Sequence, residues 1–280
     1  MTPAAPLPAG WLARLQAYAD RPPARPRLPL VWQGVPIGSV EPRLVEALHA
    51  AAPASRRRLA LHEGAAQVLP MGDLSQTLAA LALAIRDAGE AHAWRDEQLG
   101  VRDADGLLLG TVERAVVRPL GIPTHAVHLL GSTPDGRQWV QQRALDKPND
   151  PGKWDTLMGG MVPATDSLEQ ALERETWEEA GLRLSQLRGL AHGGRVMSRG
   201  PSQDTRTGYV VEAIDWYWCE LPEGLEPANQ DGEVAQFRRV EPEQLRADLL
   251  DGEYTVEAAL VFAAAWTMIT RPAGATPSAA

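Results

Sequence analysis

The stretch that decides the fold runs from Gly159 to Leu182 and reads GGMVPATDSLEQALERETWEEAGL. A glycine pair follows a short apolar strand and opens a loop. Asp166-Ser167 then supplies a helix start, Glu169 and Glu173 follow in the first turns, and Gly181 supplies the stop. This predicts a loop leading into a capped helix of about four turns. On such a helix Glu175, Glu178 and Glu179 stand at i, i+3 and i+4, so their carboxylates project from adjacent turns toward one region of space. Anions so close repel unless a cation neutralises them. A hard divalent ion, Mg2+ or Mn2+, takes oxygen ligands and retains waters that phosphate oxygens can replace. The competing expectation is a solvated helix face with Arg174 as its ion-pair partner.

Outward from this segment, HAVHLLG (125–131) has strand character, Pro134-Asp135-Gly136 marks a hairpin turn, and QWVQQRAL (138–145) is the returning strand. His125 and His128, three apart on a strand, point to opposite faces and are expected as ordinary strand residues, not as paired metal ligands. Beyond the glutamate helix, GGRVMSRGPSQDTRTG (193–208) is polar, glycine-rich and basic, and suits either a mobile lip or a connector. The strand AQFRRV, a helix from Pro242 to Leu249 and a buried helix from Val256 to Thr270 follow.

The first 119 residues carry no catalytic constellation and pattern as a small α+β domain. Helices are expected over 11–20, 41–51 and 74–88, the last with Leu74, Leu78, Leu81, Leu83 and Ile85 on its apolar face. LPLVWQGVPIGSV reads as two short strands around Gln33-Gly34. Trp94 to Glu97 and then residues 99–116 read as strands joined by a turn at Asp105-Gly106. Arg118 to Pro123 is the expected linker.

With 280 residues, 44% of them apolar, the chain has material for one large domain or two ordinary ones. Its net charge of −9 argues against a nucleic-acid or membrane-surface partner, since both need a positive face. One cysteine, Cys219, excludes an internal disulfide and a multi-cysteine zinc site, and is expected as a small core residue in a strand. The most apolar stretch, Val256 to Thr270, is interrupted by Glu257 and falls short of the roughly 20 residues a bilayer span needs. The opening residues have no basic segment followed by an apolar core, so a cytoplasmic location is expected.

Taken position by position, the deciding segment is Gly160, five residues, Asp166, seven residues, Arg174-Glu175, two residues, Glu178-Glu179, one residue, Gly181-Leu182. It resembles the signature of the Nudix hydrolases, Gly-x5-Glu-x7-Arg-Glu-U-x-Glu-Glu-x-Gly-U, with U bulky and apolar. Asp166 stands where that family has Glu, and Thr176 where it has an aliphatic residue. WRDEQLGV, TVERAVVRPLGIPTHAVHLLG, KPNDPGKWDTLMGG and ELPEGLEPANQDGEVAQFRRVEPEQL extend the similarity over most of the chain. They look like the Nudix subfamily whose N-terminal domain of unknown function precedes the Nudix domain, an arrangement joined in fungi to thiamin pyrophosphokinase.

The resemblance implies an α/β protein: a Nudix α/β/α sandwich with a mixed sheet over residues 120–280, preceded by the small α+β domain over 1–119. It implies hydrolysis of a phosphoanhydride bond in a small-molecule diphosphate, dependent on Mg2+ or Mn2+, with thiamin diphosphate analogues as the implied substrates. By the family's logic Glu175, Glu178 and Glu179 hold the metal and Arg174 orients Glu175. The general base is Glu233, with Glu175 as the second candidate. Lys147 and Lys153, the two lysines of the chain, are candidate phosphate contacts together with Arg143, and Gly159 and Gly160 form the binding loop. Trp154, beside that loop, is the candidate to stack on a cationic aromatic ring. The alternative function is a non-catalytic Nudix-fold module that binds a phosphorylated ligand, and a Nudix-type isomerase stands behind both.

Overall fold

Alternation along β7 (Thr124–Ser132) sets the layers of the molecule: Ala126 and Leu130 enter one core, Val127 and Leu129 the other. In the computed structural model, which describes residues 4–51, 58–91, 93–203 and 205–270, this strand is the centre of a seven-stranded sheet. The ends of the two expected domains, residues 1–3 and 271–280, lie outside the described residues.

β7 pairs in parallel with β12 (Tyr209–Glu220), from Thr124 opposite Glu212 to Ser132 opposite Glu220. Along its other edge it pairs antiparallel first with β10 (Met158–Met161) and then with β8 (Gln138–Arg143). β11 (Arg188–Pro201) flanks β12, β13 (Val234–Val240) flanks β8, and β9 (Trp154–Asp155) also joins β8. One face is covered by α4 (Leu168–Ala180), whose Ala171, Leu172 and Ala180 meet Val127, Leu129 and Cys219. The opposite face is covered by α6 (Val256–Ile269) and α5 (Pro242–Leu250), with Phe262 and Leu245 against Ala126, Leu130 and Ile214. The mixed sheet between helices is the expected α/β/α sandwich. Cys219 is a core residue, and burial pushes its thiol up to about 12.

The N-terminal part has its own core. β1 (Leu28–Trp32) and β2 (Val35–Val40) turn at Gln33-Gly34, and β3 (Leu59–His62) and β4 (Ala65–Val68) complete a sheet of order β2-β1-β4-β3. α2 (Pro42–Ala51) and α3 (Leu74–Asp87) pack into the same core. A reciprocal cap between Asp73 and Gln76 starts α3, and Leu74, Leu78, Leu81 and Ile85 form its buried stripe. Leu83 falls off that stripe, which steps by four, three and four residues, and is 42% exposed. β5 (Gln98–Arg102) and β6 (Leu108–Glu113) form a separate hairpin.

Three segments differ from expectation. Trp94 to Glu97 is not a strand: β5 starts at Gln98, and Asp96 takes a φ of +55°, which interrupts an extended run. Arg118 to Pro123, the expected linker, is packed and is not exposed along its whole length, because Leu120 and Ile122 are buried in the N-terminal core. Nor is 193–208 a lip or connector along its first half. β11 continues to Pro201, paired with β12 and bulged at His192/Gly194, where Gly193 lies so close to the Trp216 ring that a Cβ would overlap it. The first helix, α1 (Ala9–Ala19), crosses from the N-terminal sequence into the second core: Trp11, Leu12 and Leu15 pack with Phe262 and Trp266.

Candidate active site

Helix α4 is fixed at both ends. Ser167 caps it reciprocally with Gln170, and Gly181 ends it in the left-handed region at φ 65°. Leu172, Thr176, Glu179 and Ala180 are buried, so the three glutamates stand at different depths. Glu179 is 2% exposed, whereas the side chains of Glu175 and Glu178 are 14% and 42% exposed. Arg174 organises the outer two: its Nη1 donates to Glu175 Oε1 and to Glu178 Oε2, each at 2.9 Å. Its Nε donates to Asp166 Oδ2 at 3.0 Å. The shorter acid at 166 therefore still ties the loop to the helix through this guanidinium.

The glycine pair on β10 is required by close approach. A Cβ on Gly160 would overlap the Glu175 carboxylate, and one on Gly159 would come within 2.7 Å of the His128 ring. Glu179 Oε2 accepts from the Gly159 N–H at 3.0 Å and from Gln141 Nε2 at 2.8 Å. His128, buried beneath the loop, contacts Thr156 Oγ1 at 3.0 Å, and its burial lowers the imidazole's proton affinity, with Asp155 opposing.

Burial, then the charge of Glu175, pushes the Glu179 carboxyl up to about 8. Burial also raises Glu175, against the opposing charge of Arg174. A buried acid raised by a neighbouring carboxylate is chemically suited to a hard divalent cation, and Gln141 Oε1, buried without a partner, is a further oxygen beside Glu179. Among the described residues no three such side chains are closed into a ready metal cage. Arg174, bonded to both Glu175 and Glu178, occupies part of the cluster. The donor set fits the cation in its chemistry.

The cluster opens on a cleft of about 990 Å³. Lys147, Lys153, Arg143 and Glu233 all line it, but each is engaged. Lys147 is ion-paired with Glu233, Lys153 Nζ donates to the Gly252 carbonyl, and Arg143 donates twice to the Asn149 carbonyl. Trp154 is not at the mouth: it is 9% exposed, belongs to the core of α5 and α6, and lies under the Arg238 guanidinium. Gln141 went unnoticed in the sequence, although its position two residues after the inward-facing Trp139 places it on the same sheet face. Glu212 of β12, Glu257 of α6 and Arg114 beyond β6 also line the cleft, and no local spacing connects them to it.

The family model described as NUDIX domain matches residues 120–260, half of the chain. "Nudix hydrolase 24, chloroplastic" from Arabidopsis thaliana is 34% identical over 134 residues, which cover 46% of this chain and 36% of that protein. The chain thus spans little more than a third of that relative's length. An uncharacterized Nudix hydrolase of Pseudomonas aeruginosa is 36% identical over 166 residues, covering 58% of this chain and 85% of that one. A crystal structure of a Deinococcus radiodurans protein aligns at a TM-score of 0.47 and 20% identity, covering 63% of this chain and 100% of its own. With its signature helix, loop and sandwich in place, the chain belongs to the Nudix family.

Proposed function

We propose that the chain is a divalent-metal-dependent pyrophosphohydrolase that cleaves the phosphoanhydride bond of a small-molecule diphosphate, with thiamin diphosphate analogues as its preferred substrates. The supporting observation is that three α4 carboxylates, Glu179 buried and Glu175 and Glu178 nearer the surface, face a cleft of about 990 Å³ that also carries Arg143 and Lys147. A bound Mg2+ supplies charge neutralisation at the phosphoryl oxygens and an acidified water. Glu175, Glu178 and Glu179 would hold it. Arg174 keeps Glu175 and Glu178 in place, and the Gly159 N–H with Gln141 fixes Glu179.

Glu175 is the better-placed general base, because it stands beside Glu178 and Glu179 in the cleft and Arg174 holds its carboxylate in position. Glu233, the other candidate, is occupied by Lys147. Glu212 adds negative charge to the cleft wall, which complements a cationic heterocycle better than an all-anionic nucleotide. The test is competitive turnover, under one Mg2+ concentration, of oxidised and ring-altered thiamin diphosphates against ADP-ribose and NADH. Higher kcat/KM on the thiamin compounds is expected. Preference for the nucleotides removes the thiamin assignment and keeps the hydrolase. Binding without turnover of any diphosphate leaves the non-catalytic module instead.

A further inference from the structure

The cleft is walled partly by the N-terminal half of the chain. Arg114 begins the single 3₁₀ turn that follows β6 and lines the same cleft as Glu175, Glu178 and Glu179. Its place is fixed from two directions. Glu97, just ahead of β5, receives the Arg114 backbone N–H at its carbonyl at 2.9 Å and Nη1 at its carboxylate at 2.6 Å. The β5–β6 hairpin is in turn fastened to the signature loop: Ala164 N–H donates to the Gln98 carbonyl at 2.8 Å, Leu99 bridges to Pro163, and Met161 packs on the N-terminal core. The chain segment that holds Gly159 and Gly160 is thereby tied to the one that holds Arg114.

The Arg114–Glu97 pair is half open to solvent, with side chains 38% and 26% exposed, so it contributes little to stability. Among the described residues the guanidinium has no hydrogen-bond acceptor besides Glu97, which leaves N–H donors for a ligand in the cleft. A planar guanidinium braced by a carboxylate and facing a carboxylate-rich, lysine-bearing cleft is suited to one class of ligand, a phosphate oxygen.

We infer that Arg114, braced by Glu97, binds a non-bridging oxygen of the substrate's diphosphate group, so that the N-terminal half supplies part of the substrate site. The inference rests on the diphosphate reading of the cleft and deepens it. The test uses the full chain and inorganic pyrophosphate with Mg2+ as the calorimetric probe, beside steady-state kinetics on whichever diphosphate the wild type turns over. Arg114→Gln is expected to raise the pyrophosphate Kd and the KM about tenfold or more, which is the loss of one charge-assisted contact. Its kcat is expected to stay within about threefold, the pattern of lost ground-state binding. The Tm should stay within about 2 °C, as for an exposed pair. Arg114→Lys should recover part of the affinity, and Glu97→Gln should show a smaller loss. An unchanged Kd and KM in folded Arg114→Gln overturns the assignment, as does a loss confined to kcat or a wild type that binds no pyrophosphate. If Arg114→Gln does not fold, Arg114→Lys and Glu97→Gln carry the same comparison, and wild-type affinity in both overturns it. Absence of turnover by the wild type, with pyrophosphate still bound through Arg114, removes the hydrolase reading alone.

Discussion

On α4, Glu175 and Glu178 are balanced from within their own helix by Arg174, one guanidinium bonded to both. The second pair of acids in the cleft, Glu212 and Glu257, comes from β12 and α6 and is served by other elements. Thr124 Oγ1 of β7 donates to Glu212 at 3.1 Å, and Ser198 Oγ of β11 donates to Glu257 at 3.4 Å. Arg118, largely buried nearby, feels the charge of both. Each group carries a carboxyl that burial has pushed upward, Glu179 to about 8 and Glu257 to about 7. The difference lies in how the charge is assembled. A cluster written into thirteen helical residues keeps its compensating cation at a fixed spacing, whereas a cluster assembled across the sheet depends on every strand being in register.

The sharpest way to break this comparison is to neutralise the helical group. Glu178→Gln and Glu179→Gln should each weaken Mg2+ activation and lower turnover by about 10²-fold or more, since each removes charge the ion requires. Folding should survive. An amide oxygen at 179 can still accept the Gly159 N–H, and removing one of two mutually repelling acids relieves the apo state. Turnover titrated against Mg2+ measures the effect. Wild-type rates at limiting Mg2+ in either variant would refute the ligand assignment.

A smaller effect is expected from the loop. Gly160→Ala places a methyl group where the Glu175 carboxylate lies, so that side chain must leave Arg174 or the backbone must shift. Overpacking of this kind costs about 1–3 kcal/mol, readable by urea unfolding. Turnover should fall about tenfold through misplacement of Glu175. Unaltered stability and kinetics together would show that the glycine pair is not required by this contact.

The same contrast explains what the sequence disclosed. Residues 159–182 combine a cap, a stop and a carboxylate spacing within one window, so the loop, the helix and the Arg174 bridge were legible together. Strand alternation in HAVHLLG likewise gave the two faces of β7. Glycines misled elsewhere, because composition does not distinguish a flexible segment from a strand that must pass close to an indole, as Gly193 passes Trp216. Pro119 and Gly121 similarly concealed a buried turn whose placement comes from Leu120 and Ile122. Glu212, Glu257 and Arg114 were illegible for a different reason. Their meeting depends on the parallel register of β7 and β12 and on the docking of the β5–β6 hairpin, neither of which has a local signature.

The gentlest perturbation reaches the second group through pH. Burial first, then the charge of Glu212, with Asp155 and Asp150 also contributing, raises Glu257 from the usual 4.5 to about 7. Arg118 is the cation on the facing segment, and the Ser198 hydroxyl donates to the carboxyl. Between those two values the folded chain holds a proton that the unfolded chain releases, so this group's share of stability declines as pH rises through about 7. Glu257→Gln is neutral throughout and keeps an oxygen for Ser198. Its Tm should match wild type near pH 4 and exceed it by about 2–4 °C at pH 8, the shift expected of a modest stability change in a chain this size. Thermal unfolding of both proteins across that range reads the difference directly. A variant whose Tm offset is the same at both pH values, or which is less stable at pH 8, would show that Glu257 is held ionised by its surroundings. The two acidic groups would then be balanced alike.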